Sequence, residues 1–135
     1  MRIAIFRKAH FNAAHRMYNP AWSDEKNEEI FGVCNNANYH GHNYDLEVKV
    51  VGEVDPETGY LMDLKILKGI IKEHVEDKLD HKNLNLDVPE LQGILPSTEN
   101  VTYWIWSVLQ KELGSEYEVS VRLYETPRNY AEYPA

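Results

Sequence analysis

The sequence predicts an α+β fold in which an antiparallel four-stranded sheet carries two helices on one face. Apolar residues alternate near both ends of the chain, two segments of helical periodicity lie between them, and 135 residues suit one domain. Because an antiparallel sheet commonly buries one face and leaves the other in water, two helices are enough to cover it. We therefore expect a single domain over residues 1–135.

The first two strands are predicted from alternation. Between Ile3 and His15 the odd positions are mostly apolar, as a half-buried strand requires. The polar stretch 19–29 is interpreted as a loop. Between Tyr44 and Val51 apolar residues alternate with charged ones, and the sequence DPETG that follows indicates a turn. This second segment is the clearest strand in the chain.

Both predicted helices have recognisable ends. Asp63 can cap a helix whose apolar residues recur at helical spacing up to Val75. The second helix can begin at Ser97 or Thr98, and Gly114 stands where it would end. Each helix therefore has an apolar stripe that can pack against the sheet.

The last strands complete the sheet but leave its edges open. Tyr117–Leu123 alternates, and the short segment 130–133 can add an edge strand. Proteins usually protect or pair such edges. Pairing them between subunits into a closed ring would bury the edges and line a wet channel with the polar face. We therefore expect a homo-oligomer.

Composition excludes several classes of protein. The net charge of -8 argues against a surface that binds nucleic acid. The single cysteine, Cys34, cannot form an internal disulfide and favours a reducing compartment. The N-terminal apolar run is too short for a signal peptide, and no segment approaches the length of a membrane span. We expect a cytoplasmic domain with no nucleic-acid or membrane partner.

Two histidines at the head of the second strand have the spacing of metal ligands. His40 and His42 are two residues apart, so both point to one side of the strand, and they share parity with the inward-facing Tyr44. Two imidazoles on one side suit Zn²⁺. His15, at the inward-facing end of the first strand, is the best candidate for a third ligand. Three histidines would leave a fourth position open, which is the catalytic arrangement.

Other interpretations of these residues remain open at this point. An H-x-H pair is also compatible with histidines that make ordinary hydrogen bonds. Cys34, six residues before His40, is a fourth zinc ligand, a free buried thiol, or a catalytic base whose thiolate a nearby metal favours.

Two acidic positions also stand out. Asp80 and His81 follow the first helix and are either a proton relay or an ordinary pair at a helix end. Glu125 has the parity of the buried side of the last strand, where a carboxylate needs a partner. Glu125 either forms a structural salt bridge or binds the two N–H donors of a planar heterocycle.

Taken together, these residues resemble the 6-pyruvoyl-tetrahydropterin synthase family, which also includes bacterial 6-carboxytetrahydropterin synthases of the queuosine pathway. The segments that carry the resemblance run nearly end to end: FNAAHR, FGVCNNANYHGHNY, GEVDPETG, MDL, LDHKNLN, STENV and YET. Single segments are weak signals, but their combination in this order is specific.

The resemblance implies the T-fold, in which trimers close a β-barrel and two trimers stack into a hexamer. It implies that His15, His40 and His42 bind zinc. It also implies that Glu125 anchors the 2-amino-4-oxo edge of a pterin. The further site residues it implies are catalytic Cys34, Asp80 and His81, with Cys34 contributed across a subunit boundary, and substrate-binding Ser97, Thr98 and Glu99.

The activity implied is that of a carbon–oxygen lyase that converts 7,8-dihydroneopterin triphosphate to 6-pyruvoyl-tetrahydropterin and releases triphosphate. Five residues separate Cys34 from His40, as in the tetrahydrobiopterin-type enzymes and more than in the queuosine type. The alternative within the family is a 6-carboxy-5,6,7,8-tetrahydropterin synthase of queuosine biosynthesis. A non-catalytic pterin-binding module is the alternative of another class, and the intact catalytic residues argue against it.

A triphosphate substrate requires local positive charge in this acidic chain. Arg16 or Lys82, with residues of a neighbouring subunit, could supply it, and Mg²⁺ could accompany the triphosphate. Taken alone, both side chains are better interpreted as ordinary solvated surface charges.

Overall fold

In a computed structural model, which describes all 135 residues, two long strands form the centre of one sheet. Strand β1 (Arg2–His15) and strand β2 (His40–Glu53) pair antiparallel along their whole length. Strand β4 (Glu118–Tyr124) pairs with β2, and strand β5 (Tyr130–Tyr133) pairs with β4, both antiparallel. The four predicted antiparallel strands are therefore confirmed, with β2 beginning at His40.

The sheet has five strands, so the prediction of four is wrong. Strand β3 (Lys82–Asn83) pairs in parallel with β1 at Ala13 and Ala14, which gives the order β3-β1-β2-β4-β5. Two residues are too few to show a period in the sequence. The consequence for the site is that β3 holds the residues just before it, Asp80 and His81, against the edge of β1.

The first predicted helix is interrupted by a wider turn. Helix α2 (Leu64–Ile71) begins at Asp63, whose carboxylate accepts a hydrogen bond from the backbone N–H of Lys65. It continues through a π-helical turn (Lys72–Glu76) into the short helix α3 (Asp77–Leu79). The expected cap is confirmed, and the π-helical turn is the part that the regular spacing did not predict.

The second predicted helix is regular. Helix α4 (Thr98–Leu113) begins after Ser97, whose hydroxyl oxygen accepts a hydrogen bond from the backbone N–H of Asn100. It ends at Gly114, which has a φ of +89° in the region that favours glycine. No helix of the structure combines the length and the apolar composition that crossing a membrane requires.

Helices α2, α3 and α4 cover one face of the sheet, as expected. Burying each large apolar side chain of this layer contributes about 1.5–3 kcal/mol. The opposite face carries mostly polar side chains, such as Glu47 and Lys49, together with the exposed Phe6. The buried layer includes Phe11, Tyr44, Leu46, Val48, Leu67, Ile71, Ile105, Leu109 and Leu123.

The segment 19–29 is not a loop throughout, because helix α1 (Asp24–Phe31) begins inside it. Ser23 caps this helix by accepting a hydrogen bond from the backbone N–H of Lys26. The polarity of the segment concealed the helix, since most of its side chains face water. A short 3₁₀ turn (Gly32–Asn35) follows α1 and leads the chain back toward β2.

The one fully buried side chain of α1 is polar. The amide oxygen of Asn27 accepts a hydrogen bond from the backbone N–H of Asn19 at 2.7 Å. Its amide nitrogen donates to the carbonyl oxygens of Asn19 and Ser23 at 2.9 and 3.0 Å. Asn27 therefore fastens the end of the loop to the helix.

We expect Asn27→Ala to lower the free energy of unfolding by about 1–3 kcal/mol, because buried backbone groups lose their partners. Urea unfolding followed by circular dichroism measures the change. Glu28→Ala, at an exposed position of the same helix, is the control and should stay within about 0.5 kcal/mol of the unmodified protein. Equal losses in both variants would contradict this role for Asn27.

Candidate metal centre

Three histidines converge where β1 ends and β2 begins. In the register of the two strands His15 lies opposite His40, and His42 lies opposite Ala13. One ring nitrogen from each histidine lies within 4.8 Å of the other two. The predicted convergence is therefore present, and it follows from strand parity together with the antiparallel register.

The backbone fixes the tautomer of His15. Its Nδ1–H donates a hydrogen bond to the carbonyl oxygen of Pro96 at 2.7 Å, and the side chain is 2% exposed. With the proton on Nδ1, the lone pair lies on Nε2, which faces His40 and His42. A second partner that orients a ligating imidazole in this way is a usual feature of metal sites.

The residues present fit a metal ion. His15 Nε2, His40 Nδ1 and His42 Nε2 are all buried and have no hydrogen-bond partner. Burial lowers the pKa of each imidazole, which favours the neutral form that binds metal. Three neutral nitrogens without a partner match the ligands that Zn²⁺ takes in catalytic sites. The cluster could therefore hold a metal ion and leave one position open.

Glu125 follows β4 and faces the same cluster. Its Oε1 is 3.6 Å from His42 Nε2, and its Oε2 is 4.0 Å from His15 Nε2. The Thr98 hydroxyl donates a hydrogen bond to Oε2 at 2.5 Å. No lysine or arginine of the chain lies within salt-bridge distance of this carboxylate, and its nearest basic side chains are these two histidines.

The other two residues at the start of α4 lie differently. Ser97 uses its hydroxyl oxygen to cap the helix, and Glu99 is exposed in the first turn. Among the predicted substrate-binding residues, the structure brings Thr98 and Glu125 into contact. Neither Ser97 nor Glu99 makes a hydrogen bond to Glu125, and the Ser97 hydroxyl accepts from Asn100 instead.

Asp80 and His81 form a pair, but the pair lies apart from the histidine cluster. His81 Nδ1 is 3.0 Å from Asp80 Oδ2, and the backbone N–H of Asn12 donates to Asp80 Oδ1 at 2.9 Å. The hydrogen bond from Asn12 lowers the pKa of Asp80. The His81 side chain is 83% exposed. Asn12 precedes His15 by three residues of extended strand, about 10 Å, and neither Asp80 nor His81 is among the side chains whose ligand atoms converge.

Cys34 is also outside the histidine cluster. It lies half-buried on the 3₁₀ turn, and its carbonyl oxygen accepts a hydrogen bond from Met17 at 2.8 Å. Its thiol is not among the ligand atoms that converge at the histidine cluster.

Arg16 lies beside the same 3₁₀ turn. Its Nε–H donates a hydrogen bond to the carbonyl oxygen of Asn35, and its guanidinium group stacks over the ring of Tyr18. Arg16 is therefore held by the turn and is not an ordinary solvated charge.

Sequence reasoning missed the hydroxyl of Tyr44. This side chain is fully buried against Phe11, its hydroxyl has no hydrogen-bond partner, and its ring lies edge-on to His42 at 5.7 Å. Burial and the charge of Glu125 raise its pKa, so the phenol keeps its proton. The parity that Tyr44 shares with His40 and His42 was the available signal. No pattern in the sequence indicated that the carbonyl group of Pro96 would accept a hydrogen bond from His15.

Comparison with known proteins gives a consistent result along the whole chain. A profile of the family described as 6-pyruvoyl tetrahydropterin synthase matches residues 4–135. The 6-pyruvoyl tetrahydrobiopterin synthase of Homo sapiens is 46% identical over 129 residues, which are 96% of this chain and 89% of the human protein. The 6-pyruvoyl tetrahydrobiopterin synthase of Dictyostelium discoideum is 44% identical over 131 residues, which are 97% of this chain and 95% of the Dictyostelium protein.

A solved structure agrees with these relatives. The 6-pyruvoyl tetrahydropterin synthase of Caenorhabditis elegans superposes with a TM-score of 0.90 at 39% identity, covering 98% of this chain and 95% of that one. This agreement supports the T-fold.

We expect His42→Ala to abolish stoichiometric zinc binding, because two imidazoles remain where three converged. Zinc affinity should fall by more than the roughly 10–100-fold that is usual when a partner outside the ligand set is removed. Competition with a chromophoric chelator measures the affinity, and His74→Ala, whose histidine faces Glu112 on another part of the chain, should bind like the unmodified protein. Unchanged zinc binding in His42→Ala would contradict the site.

Proposed function

The chain belongs to the 6-pyruvoyl tetrahydropterin synthase family, and on this basis we propose that it is a zinc-dependent lyase that forms 6-pyruvoyl-tetrahydropterin. Its substrate would be 7,8-dihydroneopterin triphosphate, and triphosphate would leave. The observation that carries the proposal is the convergence of three unpaired imidazole nitrogens beside Glu125. The relatives named above favour this product over the 6-carboxy alternative, since they are 6-pyruvoyl synthases.

In this proposal Glu125 recognises the pterin ring. A carboxylate with two acceptor oxygens suits the two N–H donors of a 2-amino-4-oxo edge. The hydrogen bond from Thr98 orients the carboxylate, which reduces the freedom lost on binding. Ser97 and Glu99 would contribute to the same end of the pocket.

The histidine cluster would lie next to the substrate side chain. His15, His40 and His42 would hold the ion, and bound Zn²⁺ supplies Lewis-acid stabilisation of negative charge that develops on oxygen. His15 is held in the required orientation by Pro96. His15 is 2% exposed, so water has little access to this ligand.

Cys34, Asp80 and His81 would carry the proton transfers. As a thiolate, Cys34 can take the carbon-bound proton of the substrate side chain. Asp80, whose pKa is lowered by the hydrogen bond from the backbone N–H of Asn12, orients His81, and His81 can return protons during tautomerisation. The reaction is then an elimination with internal redox, which needs no nicotinamide.

The positions of these proton-transfer residues support an oligomeric enzyme. His81 is exposed at the edge of β1, and Cys34 is outside the histidine cluster of its own subunit. A neighbouring subunit would bring a proton-transfer pair to the cluster. We propose trimers that close a barrel and stack into a hexamer, with each site shared between subunits. Residues such as Lys82, together with Mg²⁺, would offset the triphosphate.

Product analysis tests the function. Zinc-loaded protein is incubated anaerobically with 7,8-dihydroneopterin triphosphate, and mass spectrometry identifies the products. A 6-pyruvoyl product with intact triphosphate supports the proposal. A 6-carboxy product with acetaldehyde would move the enzyme to the queuosine branch, and binding without turnover would favour a pterin-binding module.

We expect Cys34→Ala to retain zinc and to lower kcat by about 10²–10⁴-fold, the usual contribution of a general base. Steady-state turnover and zinc content are measured on the same preparation. Val33→Ala, at an exposed position of the same turn, is the control and should keep its turnover. Full turnover in Cys34→Ala would exclude the proton-transfer role.

A further inference from the structure

The histidine cluster provides no negative charge for the ion it could hold. Imidazole binds metal through a neutral nitrogen, so three histidines leave the charge of a divalent cation uncompensated. A bare cation in a half-buried site is costly unless an anion lies close to it. A nearby carboxylate is therefore needed to compensate the charge of the cation.

Glu125 is the carboxylate that faces the cluster. Its two oxygens lie 3.6 and 4.0 Å from the unpaired nitrogens of His42 and His15. It is the one acidic side chain whose oxygens lie within 4.0 Å of a nitrogen of the cluster. The carboxylate is 23% exposed, so water screens it only in part.

The surroundings of Glu125 leave its charge free to act on the cluster. Thr98 is its one hydrogen-bond donor, and that bond goes to Oε2. Oε1 receives no hydrogen bond and lies nearer to His42. A neutral donor orients the carboxylate without cancelling its charge.

We propose that Glu125 compensates the charge of the bound metal, so that this carboxylate sets the metal affinity in addition to holding the pterin. The inference rests on the metal site of the proposed function. If Glu125 served the pterin alone, its charge would not affect zinc binding in the absence of pterin. Removing a partner that supports a metal site from outside the ligand set typically weakens affinity by about 10–100-fold.

The test compares zinc affinity among carboxylate variants by chelator competition, with no pterin present. We expect Glu125→Gln, which keeps the shape and removes the charge, to weaken zinc binding by about 10–100-fold. Glu125→Asp keeps the charge on a shorter side chain and should lose less. Glu47→Gln, on the polar face of β2, is the matched control and should not change the affinity. Wild-type affinity in Glu125→Gln would overturn the proposal.

A second variant separates charge from packing. Thr98→Val removes the hydroxyl donor but leaves the Glu125 charge, so its loss of affinity should be smaller than that of Glu125→Gln. Equal losses would assign the effect to packing at the start of α4 and overturn the proposal. Thermal unfolding of the metal-free variants should match that of the unmodified protein.

The outcomes also distinguish this inference from the proposed function. If the unmodified protein fails to bind zinc, the proposed metal site fails, and this inference fails with it. If the unmodified protein binds zinc and Glu125→Gln binds equally well, only the charge role of Glu125 is wrong.

Discussion

The antiparallel register of β1 against β2 is the constraint on which the site depends. It sets His15 opposite His40 and brings His42 to the same side. A slip of one residue would turn every side chain of a strand to the other face. The register is held by the apolar alternation that fills the core, including the stacked pair of Phe11 and Tyr44. The residues that make the protein fold therefore also assemble the cluster.

The same region is costly for the metal-free protein. Four of its buried polar atoms, three histidine nitrogens and the Tyr44 hydroxyl, lack hydrogen-bond partners. Each unpaired buried group costs about 1–3 kcal/mol, and the core around it must offset that. A ligand that binds only the folded state would return stability by mass action. A ligand at this site would thus offset the cost of polar atoms that packing alone would not favour.

Much of this site was predictable from the sequence, because strand parity is a local property. Alternation alone aligned His40 and His42 with the interior and put His15 at the inward end of its strand. Glu125 was predicted to lie on the buried side by the same rule, and it faces the cluster. The caps Asp63 and Ser97 were equally local.

What the sequence could not provide depends on contacts between distant segments. The two-residue strand β3 exists only because it pairs with β1, and it decides that Asp80 and His81 lie at the edge of the sheet. No periodicity in the sequence predicts where His81 lies relative to the cluster of His15, His40 and His42. Helix α1 was hidden because its exposed polar residues resemble a loop until Ser23 and Asn27 are seen to fasten it.

X-ray absorption at the zinc edge of the zinc-loaded protein tests the three-imidazole centre most directly. We expect nitrogen and oxygen neighbours at about 2.0–2.1 Å, outer-shell scattering from three imidazole rings, and no sulfur at about 2.3 Å. A zinc–sulfur shell would contradict the assignment, because Cys34 would then be a ligand and the open position would be lost.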